Sequence, residues 1–422
     1  MMDVDRRNWW GHAFDGGLFA GSLAIVNATV LLPSVVQGLH GPEWLVAMMP
    51  ALMVVGLAVP SIITAHAIGG LSRFRPLLLW TGVLQRVPYL ATALVLLFSH
   101  SPGWCLIFVA LAPIASGFSA GISMAAWQQM LARTVRASRR SSLFAWRSII
   151  GSLIGVGSGW VVHATLTRAP GMRGYGLLHL WTFLGLCMSY FTFMTIREPA
   201  APAPREPETN FWENIRTMPA LLFADRPMFR LLMSSLFYGL TGAVVPYLAI
   251  HARYVCGAPE SFLGELVSWQ MAGAIAGGVT AGWVGDRHGG KLPLQAGRIV
   301  FLGVCIAAPF VSSAGAWCVL FLGFGAAINV CGVSFSTVQL DMLPEQGRAN
   351  RLAIVNASQV IVVLVASVIG GTTWKVAGET AFPWLATGGA VAVALSVALM
   401  VGVAEPRTVR RESEIQLTSR PC

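Results

Sequence analysis

Lysine is almost missing from this 422-residue chain: Lys291 and Lys375 are the only two. Charged residues of all kinds make up 11%. That is too few to coat a water-soluble surface, where apolar stretches alternate with charged faces. The scarcity excludes the two or three soluble domains that the length alone suggests. The seven cysteines (Cys105, Cys187, Cys256, Cys305, Cys318, Cys331, Cys422) form no CxxC pair and mostly lie inside apolar runs, which argues against a disulfide framework or a metal site. No phosphate-binding loop, no metal-ligand spacing and no cluster of acid, base and nucleophile occurs, so neither cofactor, metal nor catalysis is expected. The N-terminal MMDVDRRNWWGHAF lacks a cleavable apolar segment. It is expected to be a cytosolic tail with Trp9 and Trp10 at the headgroup level.

What the chain has in abundance is hydrophobicity, 55% of residues with a mean hydropathy of +0.67. Its apolar runs reach the roughly 20 residues that a bilayer-crossing helix needs. Twelve such segments are expected, at 14–37, 44–67, 77–99, 103–129, 143–166, 176–196, 229–251, 262–284, 293–313, 316–340, 352–375 and 383–403. Six precede and six follow a polar interruption. The expected organisation is a six-helix bundle over 1–196, a cytosolic linker over 197–228, a second bundle over 229–403 and a cytosolic tail over 404–422. The linker is proline-rich at first, then reads as an interfacial helix with Asn210 as N-cap and Phe211, Trp212 and Ile215 toward lipid.

Basic residues set the orientation. Arg168, Arg173, Arg253 and Lys375 are the only ones in the odd-numbered loops, and Arg86, Arg147 and Arg298 lie within apolar segments. All other Lys and Arg fall in the tails and even-numbered loops, which places both termini in the cytosol. This asymmetry accounts for the net charge of +10 without nucleic acid. The halves also repeat. "MLARTVRASR" (130–139) returns as "MLPEQGRANR" (342–351), "LFAG" (18–21) as "LFYG" (236–239), and "REP" (197–199) as "AEP" (404–406). A tandem duplication with six helices per copy relates the halves by an axis along the membrane normal.

The densest charge sits in "GWVGDRHGGK" (282–291). Gly282, Asp286, Arg287, Gly289, Gly290 and Lys291, between segments 8 and 9, resemble the loop signature of the major facilitator superfamily of secondary transporters. The resemblance covers essentially the whole chain. It implies an all-α membrane fold with twelve transmembrane helices in two six-helix repeats around a central cavity. The glycines permit a very short turn, and Gly273, Gly277 and Gly285 allow close helix approach. Asp286 can accept N–H bonds at the start of segment 5, near Ser141 and Ser142, as a latch between the halves. Arg136, Arg139, Arg348 and Arg351 complete the cytosolic gate. In the first half the matching loop "AIGGLSRFRP" (67–76) has Gly70 where the acid would stand, so a one-sided latch is expected.

In this family the cavity lies between the halves. Its candidate lining residues here are Asn27, Ser116, Ser119, Tyr238, Thr241, Tyr247, Gln270, Asn329, Asn356, Ser358 and Gln359, which together describe a neutral hydrogen-bonding cavity. Each could instead make an ordinary helix–helix hydrogen bond, worth about 0.6 kcal/mol on average. Arg86 lies about ten residues into segment 3, where a cation needs a partner, and Asp15 is the nearest acid. That pair could be structural, bind an anionic group or carry a proton. Arg147 and Arg298 lie closer to the cytosolic ends and can snorkel. No acid stands at midplane, which leaves Asp15 and Glu265 as coupling candidates and a proton gradient as a candidate partner. Segment 4 lacks Arg and segment 5 lacks Pro, so the drug-antiporter signatures are missing. The expectation is a monomeric, multi-pass protein of a bacterial inner membrane that moves a small organic solute by alternating access. Efflux of a neutral or amphipathic solute is favoured. Uptake of a carboxylate held by Arg86, and lipid translocation, are the alternatives.

Overall fold

The computed structural model describes residues 2–67, 71–199, 226–342 and 348–405. The interfacial helix expected around Asn210–Ile215, the tail beyond 405 and the 68–70 turn lie outside the described residues. Among those described, regular structure is entirely helical. The first half comprises α1 (Met2–Leu23), α2 (Leu31–Gly38), α3 (Glu43–Ala67), α4 (Arg75–Phe98), α5 (Pro102–Thr134), α6 (Ala137–Arg168) and α7 (Met172–Met194). The second comprises α8 (Arg226–Gly239), α9 (Val245–Cys256), α10 (Phe262–His288), α11 (Lys291–Ala307), α12 (Ala314–Met342), α13 (Arg348–Ala377) and α14 (Phe382–Val401).

Eight stretches among the described residues are long and apolar enough to cross a membrane. The outer surface is correspondingly greasy. Trp80, Phe98, Trp160, Phe310 and Trp384 are all well exposed, as side chains facing lipid tails would be. The N-terminal tail is helical from Met2 and continues into the first apolar segment without interruption.

The first helix of each half is broken midway, at 24–30 and at 240–244. The causes differ. In the first half Asn27 Oδ1 accepts hydrogen bonds from the Thr29 and Val30 backbone N–H groups and from Thr29 Oγ1, at 2.9–3.0 Å. A side chain that captures local N–H groups competes with the helical ladder. In the second half Pro246 opens α9, and a proline has no N–H to continue the preceding turn.

Equivalent helix pairs pack by the same device. A side chain at Gly117 of α5 would run into the Met53 carbonyl of α3, and one at Gly273 of α10 into the Leu322 carbonyl of α12. Small residues let these backbones approach closely. Gly277 works likewise against Ala326, whereas nothing lies where a Gly285 side chain would point.

Each half is tied shut at the face that bears the termini. Glu198 accepts hydrogen bonds from the Phe74 and Arg75 backbone N–H groups at 2.8–3.0 Å, capping α4. Glu405 accepts from the Lys291 N–H at 3.1 Å, capping α11. A carboxylate at a helix N-terminus satisfies unpaired donors and meets the positive end of the dipole. The recurring "REP" and "AEP" triplets are therefore helix-capping devices, which the repeat revealed as a pattern but not as a role.

Candidate functional site

The halves are joined at the face opposite the termini. There Glu260 accepts hydrogen bonds from the Gly171 N–H at 2.8 Å and the Tyr175 hydroxyl at 2.9 Å. His163 Nδ1 lies 3.2 Å from the Ser261 carbonyl and 3.7 Å from Glu265, and Ser268 donates to the Val156 carbonyl at 3.0 Å. Tyr247 stacks on Trp374 at 4.2 Å and donates to the Glu43 carbonyl at 3.4 Å. Deeper in, Asn27 Nδ2 donates to Gln270 Oε1, and Gln270 Nε2 donates to Thr29 Oγ1, both at 3.1 Å. Asn27, Gln270 and Tyr247 thus belong to a seam across the halves, and Glu265 to its outer rim.

Toward the terminal face the seam ends. The helices α6 and α10 stay together as far as Ser148 and Gly278, and beyond that no hydrogen bond joins the halves among the described residues. Asp286 and Arg287 are exposed, and the Arg287 guanidinium lies over the Trp283 ring of its own helix at 4.1 Å. Among the described residues, Asp286 makes no hydrogen bond to the start of α6 in this arrangement. The Lys291 ammonium donates instead to the Val403 and Val401 carbonyls, bracing its own half. Gly289 has φ +83°, a backbone region that favours glycine, and ends α10. Arg136 pairs with Asp5 at 2.7 Å, and the Arg139 carbonyl accepts from Trp9 Nε1 at 3.3 Å. The side chains of Arg348, Arg351 and Asn356 lie outside the described residues.

Two cavities open between the seam and the terminal face. One, of about 320 Å³, lies within the first half and is bordered by Asp15, Arg86, Arg147 and Tyr190. Arg86 is buried and fully engaged: Nε donates to the Leu186 carbonyl at 2.7 Å, Nη1 to the Gly82 carbonyl at 2.6 Å and Nη2 to Ser189 Oγ at 3.1 Å. Ser189 in turn donates to Asp15 Oδ1 at 2.8 Å. The expected Arg86–Asp15 pair therefore exists as a relay through Ser189. Arg147 does not snorkel. It donates to the His12 carbonyl at 2.8 Å and stands 3.8 Å from Asp15.

The other cavity, of about 420 Å³, has walls from both halves: Pro50 and Val54 from the first, Tyr238, Thr241, Arg298, Phe301 and Gln359 from the second. Arg298 is 1% exposed, so it does not snorkel either. Seven residues from the start of α11, it sits about 10 Å below that face and lines the cavity wall. The wall that was expected to be neutral carries a buried cation. Thr241 Oγ1 is turned back to the Tyr238 carbonyl at 2.7 Å, and Gln359 Nε2 is buried with no partner. Ser119 bonds the Ala115 carbonyl of its own helix, and Asn329 Oδ1 is buried beside Gly278 with no partner.

A family profile described as MFS/sugar transport protein matches residues 47–346. No curated protein matches the chain significantly. Among solved structures, a mutant form of the nucleoside transporter NupG is similar at 12% identity and a TM-score of 0.68, covering 95% of this chain and 98% of its own. The D-xylose–proton symporter is similar at 17% identity and a TM-score of 0.70, covering 96% and 99%. A bacterial homologue of the iron transporter ferroportin matches at 13% identity, covering 95% and 98%, with a TM-score of 0.65 in its inward-facing state. In its outward-facing state it matches at 14% identity, 94% and 98% coverage and a TM-score of 0.59.

Proposed function

The chain belongs to the major facilitator superfamily and is a multi-pass secondary transporter rather than an enzyme, and we propose that it exports a small amphipathic organic solute by alternating access. The observation that carries this reading is the cavity walled by both halves, sealed on one side by the Asn27–Gln270 and Glu260 seam and free of such bonds on the other among the described residues. Twelve passes with both termini in the cytosol complete the topology, on the bias of the basic residues. The arrangement is then inward-facing, which accords with the higher likeness to the inward-facing ferroportin homologue. Its largely apolar walls suit a solute gathered from the cytosol or inner leaflet, and efflux is the direction we adopt. In this cycle Asp286 engages the start of α6 only when the cytosolic side closes, so its exposure here is that of a released latch.

Asp15 is assigned to coupling, because it borders a cavity near the terminal face and is held by Ser189 and Arg147. Glu265 stands on the far rim beside His163 and serves the seam. The test places spin labels at Ser142 on α6 and Thr280 on α10 in detergent-purified, cysteine-substituted protein. Alternating access predicts two distance populations, the shorter one growing when the outer seam is weakened by Glu260→Gln. A single distance unaffected by that change would sink the reading.

A further inference from the structure

The two halves differ in the charges that surround one arginine recurring at the matched position. Arg86 and Arg298 are related by the same 212-residue offset that links 130–139 to 342–351. "SYFTFMTIREP" (189–199) aligns with "SVALMVGVAEP" (396–406), which pairs Ser189 with Ser396 and Glu198 with Glu405. "DGGLFAG" (15–21) aligns with "MSSLFYG" (233–239), which pairs Asp15 with Met233. The structure keeps the arginine and the Ser189/Ser396 position of this cassette and rebuilds its other contacts from residues elsewhere in the repeat. Arg298 Nη1 donates to Ser234 Oγ at 2.5 Å, Ser234 is bonded to Ser396 in both directions, and Tyr238 stands beside the guanidinium at 5.5 Å as Tyr190 stands beside Arg86 at 4.9 Å.

What is lost is the acid. Among the described residues no carboxylate comes within ion-pair distance of Arg298, and its Nε has no hydrogen-bond partner. An arginine stays protonated, and an uncompensated charge at this depth is costly. The open space beside it is the cavity between the halves, where Gln359 contributes a second unpartnered donor.

We propose that Arg298 is the anion-recognition residue of the transport cavity, and that the solute carries a carboxylate, or a sulfonate of like shape, on a mainly apolar body. The negative charge missing at Met233 is supplied by the solute. Resting on the transport reading above, this assigns its substrate class and moves the anion site from Arg86, whose three nitrogens are all engaged, to the second half. The body lies against Val54, Tyr238 and Phe301, and the head group is met by the Arg298 guanidinium and the Gln359 amide, whose buried Nε and Nε2 donors turn toward it on binding. A cavity of this size lies within the ordinary range for small-molecule sites.

Two measurements on the purified full chain test it. In the first, thermal unfolding is followed with hexanoate, 4-phenylbutyrate and hexanesulfonate, each against its uncharged amide. The acids raise the melting temperature and the amides do not. The apparent affinity for the best acid falls at least about thirtyfold in Arg298→Gln, as expected when one partner of a buried charge pair is removed. Amides that shift the protein as much as the acids, or no shift with either, overturn the proposal.

The second needs no ligand. Met233→Asp restores the acid of the first half and raises the melting temperature above wild type and above Met233→Asn, while abolishing the shift by acids. A Met233→Asp protein no more stable than Met233→Asn, or one that still responds to acids, overturns the proposal as well. The Ser142–Thr280 distances judge the transport reading separately, so movement without acid dependence would retire this inference alone.

Discussion

The two halves are one design carried out with different charge. In the first, Arg86 and Arg147 share Asp15 through a serine relay and direct approach, and every nitrogen of Arg86 has an acceptor. In the second, Met233 stands in the place of Asp15 and Arg298 keeps only its serine and its tyrosine. A transporter built from two equal halves has no reason to prefer one for its solute. The second half lacks the carboxylate of Asp15 and also the arginine of position 147, which the 212-residue offset replaces with Gln359: one arginine becomes scaffold and the other is left with binding capacity.

The strongest way to break the comparison is to make the first half resemble the second. Asp15→Met removes the carboxylate that serves the buried Arg86 and the half-buried Arg147, and breaking a buried pair costs about 3–5 kcal/mol. The expected outcome is a large loss in thermal stability, whereas Met233→Asp gains. Next come the paired glycines: Gly117→Ala and Gly273→Ala each push a methyl into a backbone carbonyl, at about 1–3 kcal/mol by overpacking, and comparable losses in melting temperature check that the α3–α5 and α10–α12 packings are equivalent. Smaller still are the caps. Glu198→Gln and Glu405→Gln should each cost about 1–2 kcal/mol, read as similar drops in melting temperature. Asp286→Asn should be the mildest, below about 0.5 kcal/mol in the arrangement seen here, yet it should reduce the short Ser142–Thr280 population if the latch works on closure.

Much of this was legible in the chain. Long apolar runs, the duplication and the short charged turn at 282–291 pointed to the fold, because a bilayer leaves few architectures open. Side-chain partners were less legible. Arg298 reads as a snorkelling residue when only its distance along α11 is counted, since depth along a helix says nothing of the neighbours that fence a side chain in. Asn27 reads as a cavity amide, but three local donors draw its oxygen into the helix break and Gln270 takes its nitrogen. Glu260 and Ser189 escaped notice because their partners are 85 and 174 residues away, separations that carry no signal in one sequence. The Arg86–Arg298 correspondence was readable, for the repeat offset contains it, but only the unmatched acid gives it meaning.

The carboxylates that cap α4 and α11 also bear on how the protein is made. In each half the capping residue is among the last of that half to leave the ribosome, and it ties back to a helix start synthesised 124 residues earlier in the first half and 114 in the second. Once Glu198 emerges, the first half has its own clasp and can settle in the membrane before the second exists. The second awaits Glu405, long after the first clasp has closed. Biogenesis then proceeds as two sequential closures, each completed by its capping glutamate, and a chain truncated before Glu405 would leave a finished first bundle beside an unfastened second.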